Sequence, residues 1–327
     1  MKIAPLLAAG LVLSTSALLA QPTVPESDVG TAGAVDGETV TDEVAINSDV
    51  TRRMTVDVSV GGQGPYRFLV DTGSERTIIS RQLARRLQLE SGKNTVLHSV
   101  IGIKDVRTVN IPRLQVSNRT MSVTNAPALE ATNIGADGML GIDSLRAQKV
   151  LFDFKAGTMA ITPSSRSAEP YDKDTIVVRA RARKGRLIFT HAHVDGQEVT
   201  VIIDTGSQVS IGNLALERAM VKRRIWMAPE PLTIQSVTGE TMVANVTILK
   251  ELQLGASVGL HKLPVAFANA HIFRKLDLED RPALLLGMNA MRAFDRISID
   301  FASKKVRFVL PATGMRDDVR MAATRRL

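Results

Sequence analysis

Two aspartates in this chain sit in nearly identical surroundings. Asp71 follows the apolar run Phe68-Leu69-Val70 and precedes Thr72-Gly73-Ser74, while Asp204 follows Val201-Ile202-Ile203 and precedes Thr205-Gly206-Ser207. Each carboxylate is thus delivered at the end of a buried strand, where an ionised group without partners is costly. A second carboxylate would supply the partner. If the two meet at about 3 Å across a pseudo-two-fold axis, like-charge repulsion lets only one ionise easily, and the pair shares a proton. Such a pair works as base and acid together: the ionised member draws a proton from a bound water while the protonated member polarises a carbonyl. That chemistry hydrolyses an amide with no metal and no nucleophilic side chain.

One Asp-Thr-Gly alone reads equally well as an ordinary turn. Two in matching contexts point to two halves, and further landmarks recur in the same order. Asp71 and Asp204 are 133 residues apart, Ser99-Val100-Ile101-Gly102 and Ser236-Val237-Thr238-Gly239 are 137 apart, Leu140-Gly141 and Leu286-Gly287 are 146 apart, and Asp153-Phe154 and Asp300-Phe301 are 147 apart. The drift fits loop insertions in the second half. Around these landmarks, strand signals dominate. Residues 54–60 and 187–194 alternate in polarity, and each run precedes a Gly turn (Gly61-Gly62-Gln63-Gly64-Pro65, and Gly196-Gln197) and then the aspartate strand. Helices are expected only at Ser80–Leu89 and Gly212–Met220, with Asp143 and Asn289 as N-caps of two further short turns.

These motifs resemble the aspartic proteases. Thr77-Ile78-Ile79-Ser80 followed by Arg81-Gln82-Leu83-Ala84-Arg85-Arg86-Leu87 looks like the retroviral-type, retropepsin-like branch in its bacterial form, and the likeness spans roughly residues 51 to 310. It implies a mostly-β fold of two β-barrel lobes forming a pseudo-dimer within one chain. It implies catalytic Asp71 and Asp204, with Thr72 and Thr205 cross-bracing the turns and Gly73 and Gly206 admitting close backbone approach. Ser74 and Ser207 are expected to bond the outer carboxylate oxygens. Leu140-Gly141 and Leu286-Gly287 match the strand that buttresses each catalytic turn, and Ile101-Gly102 and Thr238-Gly239 are candidate flaps, without the flap tyrosine of the pepsin branch.

Along the chain, Met1-Lys2 and the apolar stretch to Ala20 read as a secretory signal peptide, with a retained inner-membrane anchor through residues 3–20 as the rival. A periplasmic or secreted bacterial protein is the expectation. The absence of cysteine excludes disulfides and thiolate chemistry. Residues 21–50 carry seven acids and no base, which reads as an acidic disordered leader, either a plain linker or a pro-segment. An N-terminal lobe is expected at 51–161, a linker at 162–176, a C-terminal lobe at 177–310 and a basic tail at 311–327.

The partner expected is a polypeptide substrate, bound to a monomer. Basic residues outnumber acidic ones, 41 to 33, and Arg179, Arg181 and Arg183 alternate as on one strand face. Two readings stand for them, an anionic surface or acidic substrate and a solvated sheet face. Nucleic acid is not expected in an exported chain with 4% aromatics and no binding motif. His191 and His193 share a strand face, but five histidines and no His-Glu-x-x-His give no zinc spacing, so neither metal nor cofactor is expected. The rival from another class is a peptide-binding or scaffolding module that kept the fold and lost turnover.

Overall fold

The computed structural model describes residues 54–164, 175–183, 186–223, 229–255 and 258–311. The expected signal peptide, the acidic leader and nearly all of the basic tail lie outside these residues, as does 165–174 of the expected linker.

The first lobe runs β1 (Thr55–Val60), β2 (Gln63–Val70), β3 (Ile78–Ser80), α1 (Arg81–Arg86), β4 (Thr95–His98) and β5 (Ile103–Val106). It continues through β6 (Thr108–Val116), β7 (Arg119–Leu129), α2 (Ala131–Ile134), β8 (Gly138–Leu140), α3 (Ile142–Leu145), β9 (Gln148–Asp153) and β10 (Thr158–Pro163). Strands β1, β2, β8, β3, β7 and β6 close into a barrel in that order. The second lobe opens with β11 (Thr175–Arg179), β12 (Arg181–Arg183), β13 (Arg186–Val194), β14 (Gln197–Ile203), β15 (Ser210–Gly212), α4 (Leu214–Lys222) and β16 (Glu230–Gln235). Then follow β17 (Thr241–Leu254), β18 (Val258–Phe267), α5 (His271–Lys275), β19 (Ala283–Leu286), α6 (Met288–Met291), β20 (Arg296–Asp300) and β21 (Lys305–Val309). Here β13, β14, β19, β15, β18 and β17 form the sheet that a β13–β17 pairing closes into a second six-stranded barrel.

The last three residues of each aspartate strand are apolar without interruption because both their faces are covered. Phe68 and Val70 of β2 point into the main core, whereas Leu69 belongs to a separate cluster with Ile78, Leu97, Ile134 and Met139. In β14, Val201 and Ile203 likewise face the main core, while Ile202 packs with Ile188, Ile211, Phe273 and Leu285. Both hairpins leading into these strands turn through left-handed residues, Gly61-Gly62 and Asp195-Gly196, the backbone twist that tight hairpins require.

The ends of the two lobes leave the barrels. They form a common five-stranded sheet in the order β10, β9, β20, β21, β11, and β10 and β11 both run into the span expected to be linker. Three local expectations are corrected. Helix α1 stops at Arg86, because Gln88 turns left-handed, and α4 extends to Lys222. Gly141 and Gly287, not Asp143 and Asn289, stand at the N-caps of α3 and α6, so no side chain caps these helices. Finally, Arg179 and Arg181 do not share a strand: Arg179 pairs with β21 in the common sheet and Arg181 with β13 of the second barrel, the chain changing sheets at buried Ala180. Among the described residues no helix is long and apolar enough to cross a membrane.

Candidate active site

Strands β2 and β14 each deliver their aspartate because a parallel neighbour clamps the strand end. Leu140 at the end of β8 accepts a hydrogen bond from the Asp71 amide at 2.9 Å, and Leu286 at the end of β19 accepts from the Asp204 amide at 3.0 Å. The turns that follow are locked to each other. The Thr72 hydroxyl donates to the Ile203 carbonyl at 2.9 Å and accepts from the Thr205 amide at 3.1 Å, while the Thr205 hydroxyl donates to the Val70 carbonyl at 2.7 Å and accepts from the Thr72 amide at 3.1 Å. Both threonines are buried. Four reciprocal bonds therefore fix one turn against the other, each hydroxyl both donating and accepting.

This brace sets each carboxyl group against the glycine of the other turn, near enough for each to act on the other's proton. No side chain could stand in the glycine positions. A Cβ on Gly73 would meet the Asp204 carboxylate at 2.5 Å, and one on Gly206 would collide with that of Asp71. The glycine amides instead point at their own aspartates, Gly73 to Asp71 Oδ1 at 2.7 Å and Gly206 to Asp204 Oδ1 at 3.1 Å. Burial, and next the charge of Asp204, push the Asp71 carboxyl up to about 7. Burial also raises Asp204, against the pull of Arg186 and of the hydrogen bond from Asp71. Each carboxyl therefore keeps its proton to a higher pH than a free aspartate does.

The serine hydroxyls do not reach the carboxylates. Ser74 donates to the Arg76 carbonyl at 2.8 Å and Ser207 to the Val209 carbonyl at 2.6 Å, closing each turn on itself. Asp143 and Asn289 hold the chain behind these turns: Asp143 accepts from the Thr77 amide and hydroxyl, and Asn289 from the Ser210 amide and hydroxyl. Gly141 and Gly287 lie where a Cβ would strike the backbone of Arg76 and Val209.

The pair stands at the floor of a cavity of about 330 Å³, walled by both lobes. Ile78, Leu97 and Met139 supply apolar wall on one side, and Ile211, Leu232 and Ile272 on the other. The expected flap residues occupy the tips of two hairpins, Ile101-Gly102 between β4 and β5 and Thr238-Gly239 between β16 and β17. The residues that line the cavity are the ones just before them, Ser99-Val100 and Ser236-Val237. Each tip packs on the opposite lobe, Val100 against the cluster of Ile272 and Phe273 and Val237 against that of Leu97 and Ile134.

One charged group that the sequence did not single out is Arg186. It opens β13, is 2% exposed, and reaches across to the first lobe, donating to the Gly73 carbonyl at 2.8 Å and to Glu75 at 2.9 Å. Lys275 of α5 also meets Glu75, at 3.1 Å. Burial acts to raise Glu75, but Lys275 and Arg186 together hold it below the ordinary glutamate range. The signal for Arg186 was faint: a lone base opening an apolar strand, in a chain with 41 bases. His191 and His193 lie on β13, and among the described residues no three His, Asp or Glu side chains are grouped to hold a metal.

Comparison with known proteins places this geometry. The sequence model of the aspartyl protease family matches twice, at residues 56–144 and 190–290, one match in each lobe. The chain belongs to the aspartyl protease family, in its two-lobed, retropepsin-like form. A search of curated protein sequences returned no match.

Proposed function

We propose that this protein is an aspartic endopeptidase in which Asp71 and Asp204, one from each lobe, activate a shared water. The observation that carries the reading is the Thr72–Thr205 brace, which sets buried Asp71 and half-buried Asp204 side by side in the lining of a cavity built from both lobes. The ionised carboxylate takes a proton from the water as its oxygen attacks the scissile carbonyl carbon. The protonated carboxyl gives its proton to the carbonyl oxygen, producing a neutral tetrahedral diol. The carboxyl that took the water's proton then gives it to the amide nitrogen while the other carboxylate takes one from a diol hydroxyl, so that the C–N bond breaks, acid and amine are released, and the pair is again singly protonated. An extended peptide lies between β4 and β16, pairing by its backbone and placing alternate side chains in the apolar walls. The substrate is a polypeptide, no cofactor takes part, and the enzyme acts as a monomer in the periplasm or outside the cell.

The test is cleavage of an unfolded protein such as casein between pH 4 and 8, by wild type, Asp71→Asn and Asp204→Asn, with and without pepstatin. Each variant is expected to lose at least about 10³-fold in rate, within the span that general acid–base groups supply. Wild-type activity is expected to fall as pH rises through about 7, where the shared proton leaves Asp71. A rate climbing steadily from pH 5 to 9, or a variant as active as wild type, would sink the reading. Inert wild type, with or without residues 21–50, would favour a peptide-binding module instead.

A further inference from the structure

The hairpin of β4 and β5 pairs with no barrel strand and forms a two-stranded sheet of its own. Leu97 and Val106 pack its base on the first barrel, and its tip is held over the cavity by contact with the other lobe: Val100 in the second-lobe cluster, Lys104 Nζ on the Thr238 carbonyl at 3.0 Å, and a histidine pair. His98, the last residue of β4, places its Nδ1 2.8 Å from Nε2 of His271, the first residue of α5. The rings stack with centroids 5.1 Å apart and planes 13° from parallel.

The opposite hairpin has a counterpart. Gln235, the last residue of β16, donates from Nε2 to Asn133 Oδ1 on α2 of the first lobe at 3.5 Å. In both cases the end of the first hairpin strand is tied to a short helix across the cavity. One tie is made by two amides, which do not titrate. The other is made by two imidazoles, which do.

We propose that the His98–His271 contact is a proton-operated latch, holding the first-lobe hairpin closed over the substrate cavity while the rings are neutral and releasing it once both are protonated. The proposal rests on the reading of that hairpin as a flap over a substrate cleft. Between neutral imidazoles one N–H donates and one nitrogen accepts. A first proton leaves an imidazolium donor and a neutral acceptor, so the contact survives. A second removes the acceptor and sets two like charges against each other.

The surroundings resist both protons. Arg274 and Lys275 act on the pair from α5 and Arg186 from β13, while Lys104 of β5 is spent on the Thr238 carbonyl and Glu240 of the opposite hairpin. Glu75, whose charge favours a proton on His98, is itself bonded to Arg186 and Lys275. Asp71 and Asp204 line the same cavity. Burial first, then Lys275, lowers His98 below the usual histidine range, and burial first, then His98, Arg274 and Lys275, lowers His271. Closed-state values below the open-state value mean that the latch keeps its full strength above about pH 6.5 and weakens as pH falls through that value and the lower closed-state ones. Each unit of difference changes the closed-to-open ratio about tenfold.

The test needs no substrate. Because the chain has no cysteine, paired spin labels can be placed at Val96→Cys on the hairpin and Val221→Cys on α4, positions 53% and 51% exposed. Pulsed electron resonance at pH 7.5 and pH 4.5 reads the distance. A single closed population is expected at pH 7.5, and at pH 4.5 a longer-distance population with the closed-to-open ratio down at least about tenfold. Labels at Val243→Cys and Arg86→Cys report the amide-tied hairpin, which is expected to stay put. In His98→Gln/His271→Asn, which copies the amide tie, the pH response is expected to vanish. An unchanged wild-type distance, equal movement of both hairpins, or a response that survives in the double variant would overturn the latch. If the double variant does not fold, the comparison of the two hairpins in wild type still decides. Loss of the protease reading would show in the casein assay and leave these distances untouched.

Discussion

Burial gives Asp71 a consequence for stability besides its proposed role in catalysis, because a carboxyl that keeps its proton to about pH 7 when folded, against 3.8 as the ordinary value, binds that proton more tightly in the folded chain. The fold is therefore favoured at low pH, loses that advantage as pH rises from about 4 to about 7, and carries the whole cost of the buried charge above 7. Asp71→Asn removes that charge. Its melting temperature is expected to exceed that of wild type by about 3–8 °C at pH 8 and to match it at pH 4, as read by calorimetry. The brace obeys a different rule. Thr205 is buried and its hydroxyl makes both bonds to the other turn, so Thr205→Val strands the Val70 carbonyl and the Thr72 amide. A loss of about 2–3 kcal/mol in urea unfolding is expected, largely restored in Thr205→Ser. At this scale the sequence carried much: a carboxylate at the end of an apolar strand, twice, points to two matching turns, and the structure braces those turns against each other. It did not carry the hydroxyl directions of Ser74 and Ser207, since a serine after a tight turn can bond forward to the chain as readily as sideways to a carboxylate. Nor did it carry Arg186, whose role exists only where the two lobes meet.

Elements were legible where one period governs them and obscure where a segment serves two neighbours. The aspartate strands, the hairpins before them and the short strands behind them follow from apolar runs, Gly turns and their repetition. Asp143 and Asn289 look like helix caps because polar residues before short helices usually are, yet each stands inside the first helical turn and is spent on the chain opposite, at Thr77 and Ser210. Residues 179–183 read as one basic strand, but buried Ala180 passes the chain from one sheet to another. The buttressing strands yield a sharp prediction. Gly287 caps α6, and a Cβ there would lie 2.6 Å from the Val209 carbonyl carbon and 2.9 Å from the Ser210 nitrogen, both backbone atoms that cannot step aside. Gly287→Ala is expected to cost about 2–4 kcal/mol and to lower cleavage, because the Asp204 turn hangs from this strand. Denaturant unfolding and the casein assay on one preparation check both effects. Wild-type values in each would show that the buttress yields without loss.

The molecule as a whole is two barrels that share more than a border. The common sheet takes β9 and β10 from one lobe and β11, β20 and β21 from the other, with β9 and β20 paired at its centre from Gln148's neighbour Lys149 through Asp153. Its inward side chains Val150 and Phe152, together with Ile297, Ile299 and Phe308, join a hydrophobic cluster that extends into both barrels. The threonine brace, the Arg186–Glu75 pair and the crossed hairpins add further ties. Unfolding one barrel would expose the other's share of that core, so the two lobes are expected to melt as one cooperative unit, with equal calorimetric and van't Hoff enthalpies. Phe308 tests what couples them. Its ring lies 4.8 Å from that of Phe294 and 6.3 Å from that of Phe189, at the junction of the common sheet and the second barrel. Phe308→Ala is expected to cost about 3–5 kcal/mol and to move the single transition down intact. If the variant's transition splits in two, the lobes are coupled through this core and the remaining ties are too weak to hold them together. If wild type itself melts in two steps, each barrel stands alone, and the shared sheet aligns the aspartates without making the lobes one folding unit.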